Sequence, residues 1–161
     1  MLEIRPVSSG DEGDIWSIIG PAIRAGDTYT LPPDMSEADA LRYWTGSDRE
    51  TFVAEENGRV LGTYYLRVNQ AGGGSHVANC GYVTHMGAQG RGIARLMCEH
   101  SLAHARDRGF RAMQFNFVVS SNERAVRLWQ SLGFDIVGRL PLAFRLPSDD
   151  YVDAFVMFRQ L

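Results

Sequence analysis

Three observations predict an α/β fold built on a mixed sheet. Short β-rich runs alternate with punctuated amphipathic segments along the whole chain, Asn57-Gly58 joins two strand-like runs, and a glycine-rich turn carries a third run straight into a long helix. Taken in order, Leu2–Arg5 alternates apolar and polar residues and ends at Pro6, a short opening strand. Asp11–Arg24 follows as a helix with Ile15, Ile18 and Ile19 at i, i+3, i+4 spacing, and Gly20-Pro21 is expected to interrupt or kink it. After the break at Pro32-Pro33-Asp34, Ser36 is a good N-cap for a second, short helix through Ala38, Leu41, Tyr43 and Trp44, ending near Gly46. Thr51–Glu56 and Arg59–Val68 flank Asn57-Gly58, whose residues accept the positive φ angles of a type I′ turn, and so form a β-hairpin.

A further strand spans about Ser75–Thr84, after the glycine-rich Gln70–Ser75 segment. The next helix places Ile93, Leu96, Met97, His100, Ala103 and His104 at helical spacing and stops at Gly109. Ala112–Val119 is β-rich. Ser120-Ser121-Asn122-Glu123 carries the S-x-x-E capping box for a last helix, with Ala125, Leu128, Trp129 and Leu132 on one face and Gly133 at its end. Asp135–Leu140 and Tyr151–Phe158 close the chain around a Pro-containing loop. The order is β-α-α-β-β-β-α-β-α-β-β.

With 161 residues, 45% of them hydrophobic, the chain suits a single domain over residues 1–161. Its formal charge of −3 argues against non-specific nucleic-acid binding. No apolar stretch approaches the roughly 20 residues that cross a bilayer, and no basic n-region precedes an apolar run at the start, so the reading is a cytoplasmic protein with no membrane partner. Cys80 and Cys98 form no disulfide framework, and with the four His they make no recognisable metal-ligand set, so core packing is their expected role and no metal is expected.

The chemistry concentrates at His85–Gly92, where a strand enters a glycine-rich turn that opens a helix. Such a junction binds phosphate: glycines let the backbone approach an anion, unpaired N–H groups point at it, and the positive end of the helix dipole adds to the attraction. Arg91 and Arg95 add charge. Gly87, Gly90 and Gly92 do not have the G-x-G-x-x-G spacing, and no G-K-[ST] follows, so neither dinucleotide nor triphosphate binding fits.

Gln89-Gly90-Arg91-Gly92-Ile93-Ala94 resembles the [QR]-x-x-G-x-[GA] signature of the GNAT superfamily of acetyl-CoA-dependent N-acetyltransferases, and Asn122–Phe134 is similar to its downstream motif N-x-x-A-x-x-[LF]-[YW]-x-x-x-G-F. The resemblance covers essentially the whole element order. It implies a mostly antiparallel mixed sheet splayed between the fourth and fifth strands, here Ser75–Thr84 and Ala112–Val119, with helices on both faces. Strands that splay lose ladder partners, and the pantetheine amides of acetyl-CoA would replace them. The resemblance thus assigns Val83 and Thr84 to the pantetheine arm through their main chains, Gln89, Gly90, Arg91, Gly92, Ile93 and Ala94 to the pyrophosphate, and Asn122 to the cofactor from the other side. The expected activity is transfer of the acetyl group of acetyl-CoA to a small amine in a ternary complex. Where many members carry a general-acid Tyr this chain has Trp129, whose indole cannot serve.

Asn79 and Asn116 lie inside otherwise apolar strands, where asparagine is depleted and costly to bury unpartnered, so they are the candidate catalytic residues: their amides would hold the substrate or the thioester oxygen. His76 and His85 flank the same strand, and Glu55 and Asp153 lie in strands; a structural or surface role is the plainer reading for all four. Thr28, Tyr29 and Trp44 are candidate pocket residues, with core packing the alternative for the aromatics. Phe115–Asn122 and Val152-Asp153-Ala154 look most like the branch acetylating proline analogues such as azetidine-2-carboxylate, with phosphinothricin-type enzymes related, so the expected acceptor is a small amino acid or analogue. Protein N-terminal or lysine acetylation, and a non-catalytic acyl-CoA-binding module, are the alternatives. Dimers are the commonest assembly, and the apolar closing strand marks a candidate homodimer surface.

Overall fold

The computed structural model describes residues 1–161 and contains every element in the expected order: β1 (Leu2–Pro6), α1 (Glu12–Ala25), α2 (Glu37–Trp44), β2 (Arg49–Glu56), β3 (Arg59–Val68), β4 (Val77–Thr84), α3 (Ile93–Asp107), β5 (Ala112–Val119), α4 (Glu123–Ser131), β6 (Asp135–Arg145) and β7 (Tyr151–Gln160). The seven strands form one sheet in the order β1-β2-β3-β4-β5-β7-β6. Every neighbouring pair is antiparallel except β4 with β5. No helix is long and apolar enough to cross a membrane.

The sheet separates two cores. Phe52, Tyr64, Leu66, Ala78, Met113 and Phe115 pack under α3 and α4, and Val53, Val60 and Tyr65 pack under α1 and α2. Alternation along the strands divides these residues between the two faces, with the phase in β3 shifted at Leu61, the extra residue where the β2–β3 register slips between Ala54 and Glu55. A chain of satisfied polar groups ties α2 to the hairpin: Trp44 Nε1 donates to Thr63 Oγ1 (3.0 Å), Thr63 Oγ1 to the Phe52 carbonyl (2.8 Å) and Thr51 Oγ1 to the Trp44 carbonyl (2.8 Å).

Local signals set most boundaries. Asn57 and Gly58 turn the hairpin at φ 52° and 76°, and Ser36 Oγ caps α2 by accepting from the Asp39 N–H at 3.1 Å. Three expectations are corrected. α1 runs uninterrupted through Pro21, whose ring faces solvent while Ile18, Ile19 and Ile23 are buried on either side of it. The tertiary burial of that face outweighs the loss of one helical N–H. The cap of α4 is Asn122, whose Oδ1 accepts from Ala125 N–H, and not Ser120, because the Ser120 N–H is taken by the Asp153 carbonyl (2.9 Å) in an extension of the β5–β7 ladder. β6 continues past Pro141 to Arg145; it is the edge strand, and a register shift between Leu140 and Phe144 lets the ring avoid the ladder.

At the far end of the sheet Arg5 clamps the start of α1. Its Nη1 and Nη2 donate to the two oxygens of buried Asp11 (2.8 and 2.9 Å) and its Nε to Glu55 (2.8 Å). These bonds from Arg5, with those from Ser8, hold the Asp11 carboxyl well below the usual range despite its burial. A carboxylate depressed in the folded state stabilises the fold above its unfolded pKa, near 4, and that contribution fades as the pH falls toward the folded value. Asp11→Asn is therefore expected to lower stability at pH 7 by about 2 kcal/mol, and urea unfolding should show the gap from the parent chain closing as the pH is taken below about 4.

Candidate active site

β4 and β5 pair at only two positions, Val77↔Ala112 and Ala78↔Met113, and then diverge. Trp129 of α4 lies under the gap, its ring 5.1 Å from Tyr82 of β4 and 5.1 Å from Phe115 of β5. A register shift against β7 between Phe115 and Val118 bulges Asn116-Phe117 out of β5. The result is a cleft of about 1000 Å³ that runs from the start of α3 to the α1–α2 loop.

The antiparallel β3–β4 ladder shows which backbone groups face this cleft. It is framed by Asn69 N–H to the Val77 carbonyl (2.8 Å) and His85 N–H to the Leu61 carbonyl (2.8 Å), with unbroken register between. Alternation then turns the main-chain groups of Val83 toward β3, beside Thr63, and those of Cys80, Tyr82 and Thr84 toward the gap. The Tyr82 carbonyl is already met there by the Tyr29 hydroxyl at 2.8 Å.

At the other end of the cleft, Gly90 and Gly92 adopt φ 80° and 78°, and Gly92 is the left-handed residue that starts α3. The first helical bond is Leu96 N–H to the Gly92 carbonyl (3.0 Å), and none of the backbone N–H groups of Gly90 to Arg95 donates within the protein. Gln89, Gly90, Gly92, Ile93, Ala94 and Asn122 line this end. The Arg91 side chain turns away and pairs with Glu56 at 2.7 Å, so Arg91 offers the cleft only its main chain. In its place Arg124, which no motif singled out, reaches the loop: its guanidinium lies 3.7 Å from where a Cβ on Gly90 would stand, and it has no carboxylate partner. Only its position one helical turn from Arg127, facing the cleft with Arg127 and Leu128, could have flagged it.

Asn79 and Asn116 both reach the cleft. Asn79 Nδ2 donates to the Gln114 carbonyl at 2.9 Å, one step beyond the last β4–β5 pair, and its Oδ1 has no donor. Asn116 accepts from Gln114 Nε2 (2.8 Å) and donates to Asn69 Oδ1 (2.6 Å). Thr28 and Tyr29 line the cleft, whereas Trp44 is core, 1% exposed, with Tyr29 and Tyr65 edge-on to its ring. The remaining polar candidates lie outside it: His85 Nδ1 accepts from Gly87 N–H, His76 precedes β4 at the surface, Glu55 pairs with Arg5, and Asp153 with Arg139. Burial pushes the Tyr29 and Tyr65 phenols up, and raises the buried Cys98 thiol to about 12, so all three are protonated near neutrality.

The model of the acetyltransferase (GNAT) family matches residues 22–134, which span both the glycine-rich loop and α4. The chain belongs to the GNAT family. It is 34% identical over 98 residues to the N-acetyltransferase aca1 of Schizosaccharomyces pombe, covering 60% of this chain and 47% of that protein, so the match spans about half the relative's length. A GCN5-related N-acetyltransferase structure from Kribbella flavida superimposes with TM-score 0.94 at 38% identity, over 99% of this chain and 98% of that one. The fold is shared also with a phosphinothricin acetyltransferase from Sinorhizobium meliloti in complex with AcCoA (TM-score 0.87, 22% identity, 99% and 88% covered).

Gly81 is a packing requirement of this GNAT cleft. A Cβ there would stand 2.6 Å from Tyr65 Cε2, so the Tyr65 ring can lie across β4 only because residue 81 has no side chain. Gly81→Ala is expected to destabilise the protein by about 1–3 kcal/mol through overpacking, read as a fall in Tm. In a Tyr65→Leu background the same change should cost measurably less, since the clashing ring is gone.

Proposed function

We propose that the protein transfers the acetyl group of acetyl-CoA to the amine of a small amino acid or amino-acid analogue, both substrates being bound together. The observation that carries this reading is the run of unpaired N–H groups at the start of α3 opening into the same cleft as the unladdered edge of β4. An anion at a helix start and an amide chain along an open strand edge are what these two features complete. Gln89 to Ala94 would hold the pyrophosphate through the backbone, with Arg124 as the nearby cation and Asn122 on the facing wall. Thr84 and Tyr82 would meet the pantetheine amides; Val83 would shape the wall, its backbone being committed to β3.

Acetyl-CoA supplies an activated acyl group on a thiolate that leaves, so the protein need only hold and orient the partners. Asn79 Oδ1, free of any donor, is placed to accept an N–H of the acceptor amine, and Asn116 keeps one amide hydrogen beyond the one given to Asn69 for the thioester oxygen. Trp129 shapes the cleft wall and moves no proton. Among the cleft-lining residues Asp27, at the mouth, is the one carboxylate, and no histidine is present. The amine therefore loses its proton to water. The Asn116-centred segment resembles that of proline-analogue and phosphinothricin-type acetyltransferases, which supports an amino-acid-like acceptor.

Titration calorimetry with acetyl-CoA, followed by small amino acids and proline analogues while free thiol is monitored, tests the reading. Binding with thiol release is expected. Peptide acceptors outcompeting free amino acids would transfer the assignment to protein acetylation, and binding without release across the panel to an acyl-CoA-binding module. Gly92→Val should weaken acetyl-CoA more than tenfold while the fold persists, because the residue sits at positive φ, and Arg124→Gln should weaken it roughly tenfold, less so in high salt. With no general base on the protein, log kcat/KM should rise with pH up to the pKa of the acceptor amine itself, and that midpoint should move when the amine is changed.

A further inference from the structure

The end of the cleft remote from the phosphate loop carries positive charge that the fold does not use. Arg49, Arg67 and Asn79 stand side by side across β2, β3 and β4, in register and on one face of the sheet. Arg67 lines the cleft, half-buried, and neither an ion pair nor a hydrogen bond to its guanidinium occurs in the protein. Beside it the Arg49 side chain is 7% exposed, its guanidinium 4.7 Å from the ring centres of both Tyr43 and Tyr65, which line the cleft. Its Nε and Nη2 bind Asp48, while Nη1 is buried without a partner. One carboxylate, Asp48, thus faces two guanidiniums, and it is held below its usual range by Arg49 first and by Arg67 as well. The chain has no lysine, so each of these cations is a planar fork suited to two parallel bonds with a carboxylate.

We infer that Arg67 binds a carboxylate of the acceptor, with Arg49 positioning the Tyr43–Tyr65 wall beside it. This rests on the acetyltransferase reading and narrows its substrate to amines that carry an acid group. Asn79 and Thr84 are separated by five residues of strand, roughly 16 Å, so an anion at Arg67 lies beyond the reacting centre and the amine of a small amino acid points back toward Asn79. The Tyr43 and Tyr65 hydroxyls, 3.3 Å apart, share a hydrogen bond that closes the wall, which leaves one O–H of the pair to donate. Asn79 Nδ2 is engaged with the Gln114 carbonyl and Asn116 Nδ2 with Asn69, each by one hydrogen, whereas Arg67 is the unpaired cation at this end of the cleft and so the group matched to a carboxylate.

The test compares acceptors that share an amine and differ in charge: glycine, alanine and proline against their carboxamides, with thiol release as the readout. The acids should be preferred in kcat/KM by at least tenfold. Arg67→Gln should raise KM for the acids about 10- to 100-fold, leave kcat within a few-fold and the acetyl-CoA affinity unchanged, and bring the acid-to-amide ratio close to one. Arg67→Lys, which keeps the charge and loses the fork, should restore part of the preference. An unchanged acid-to-amide ratio in Arg67→Gln, or amides used as well as acids by the parent chain, overturns the carboxylate site while the acetyltransferase reading stands. Failure of the parent chain to bind acetyl-CoA overturns both.

Discussion

The cleft of this chain depends on two strands that are prevented from finishing their ladder. β4 and β5 pair at two positions and then separate around the indole of Trp129, which touches an aromatic ring on each strand. A buried backbone group without a partner costs on the order of 1–3 kcal/mol, so an open edge of this kind is stable only if something completes it. Part of the completion is internal: the Asn79 amide takes the Gln114 carbonyl and the Tyr29 hydroxyl takes the Tyr82 carbonyl. The bulge at Asn116-Phe117 keeps β5 attached to β7 on its other side while its cleft side stays free.

The same divergence brings the start of α3 and the first turn of α4 to face one another across the opening. Net charge says nothing about this meeting point, because the chain as a whole is at −3. What matters is local pairing. Arg91 is neutralised by Glu56 and Arg127 by Glu123, whereas Arg124 next to Gly90 has no carboxylate. The proposed anion site would thus be made by unpaired N–H groups first and by one free guanidinium second, an arrangement in which the fixed dipoles are already oriented before any ligand arrives.

Features written into a few consecutive residues were legible in the sequence. The Asn57-Gly58 turn, the Ser36 cap, the glycines opening and ending α3 and the element order depend on local φ preferences and periodicity, and they stand as expected. What escaped depends on pairing between distant segments. Ser120 satisfies the capping pattern, yet its N–H belongs to the sheet through Asp153, so the cap passes to Asn122. Pro21 is a helix breaker that burial of its isoleucine neighbours overrides. Arg67 reads as an ordinary strand arginine until β2 and β4 set Arg49 and Asn79 beside it in register. Trp44 and Tyr29 are alike in sequence terms, and only the packing sends one to the core and the other to the cleft.

The polarity of the cleft along its length unites these pieces. At the α3 end the protein offers donors: backbone N–H groups and Arg124. At the α1–α2 end it again offers a donor, the unpaired guanidinium of Arg67, whereas the Tyr29 hydroxyl is spent on the Tyr82 carbonyl and the Tyr65 hydroxyl bonds that of Tyr43. In between, where the strands part, the gap-facing residues of β4 present both N–H and carbonyl groups, with Asn79 Oδ1 as a further acceptor. A pair of ligands that fits this order would have anions at its two extremities and amide groups, which both donate and accept, at its centre. A phosphate-bearing acyl carrier laid end to end with an amine that carries an acid, as proposed, would have that order, and reversing either one would take its anion away from the cation that matches it. On the proposed reading, the direction in which both substrates would lie is set by the cations at the two ends of the cleft, Arg124 and Arg67.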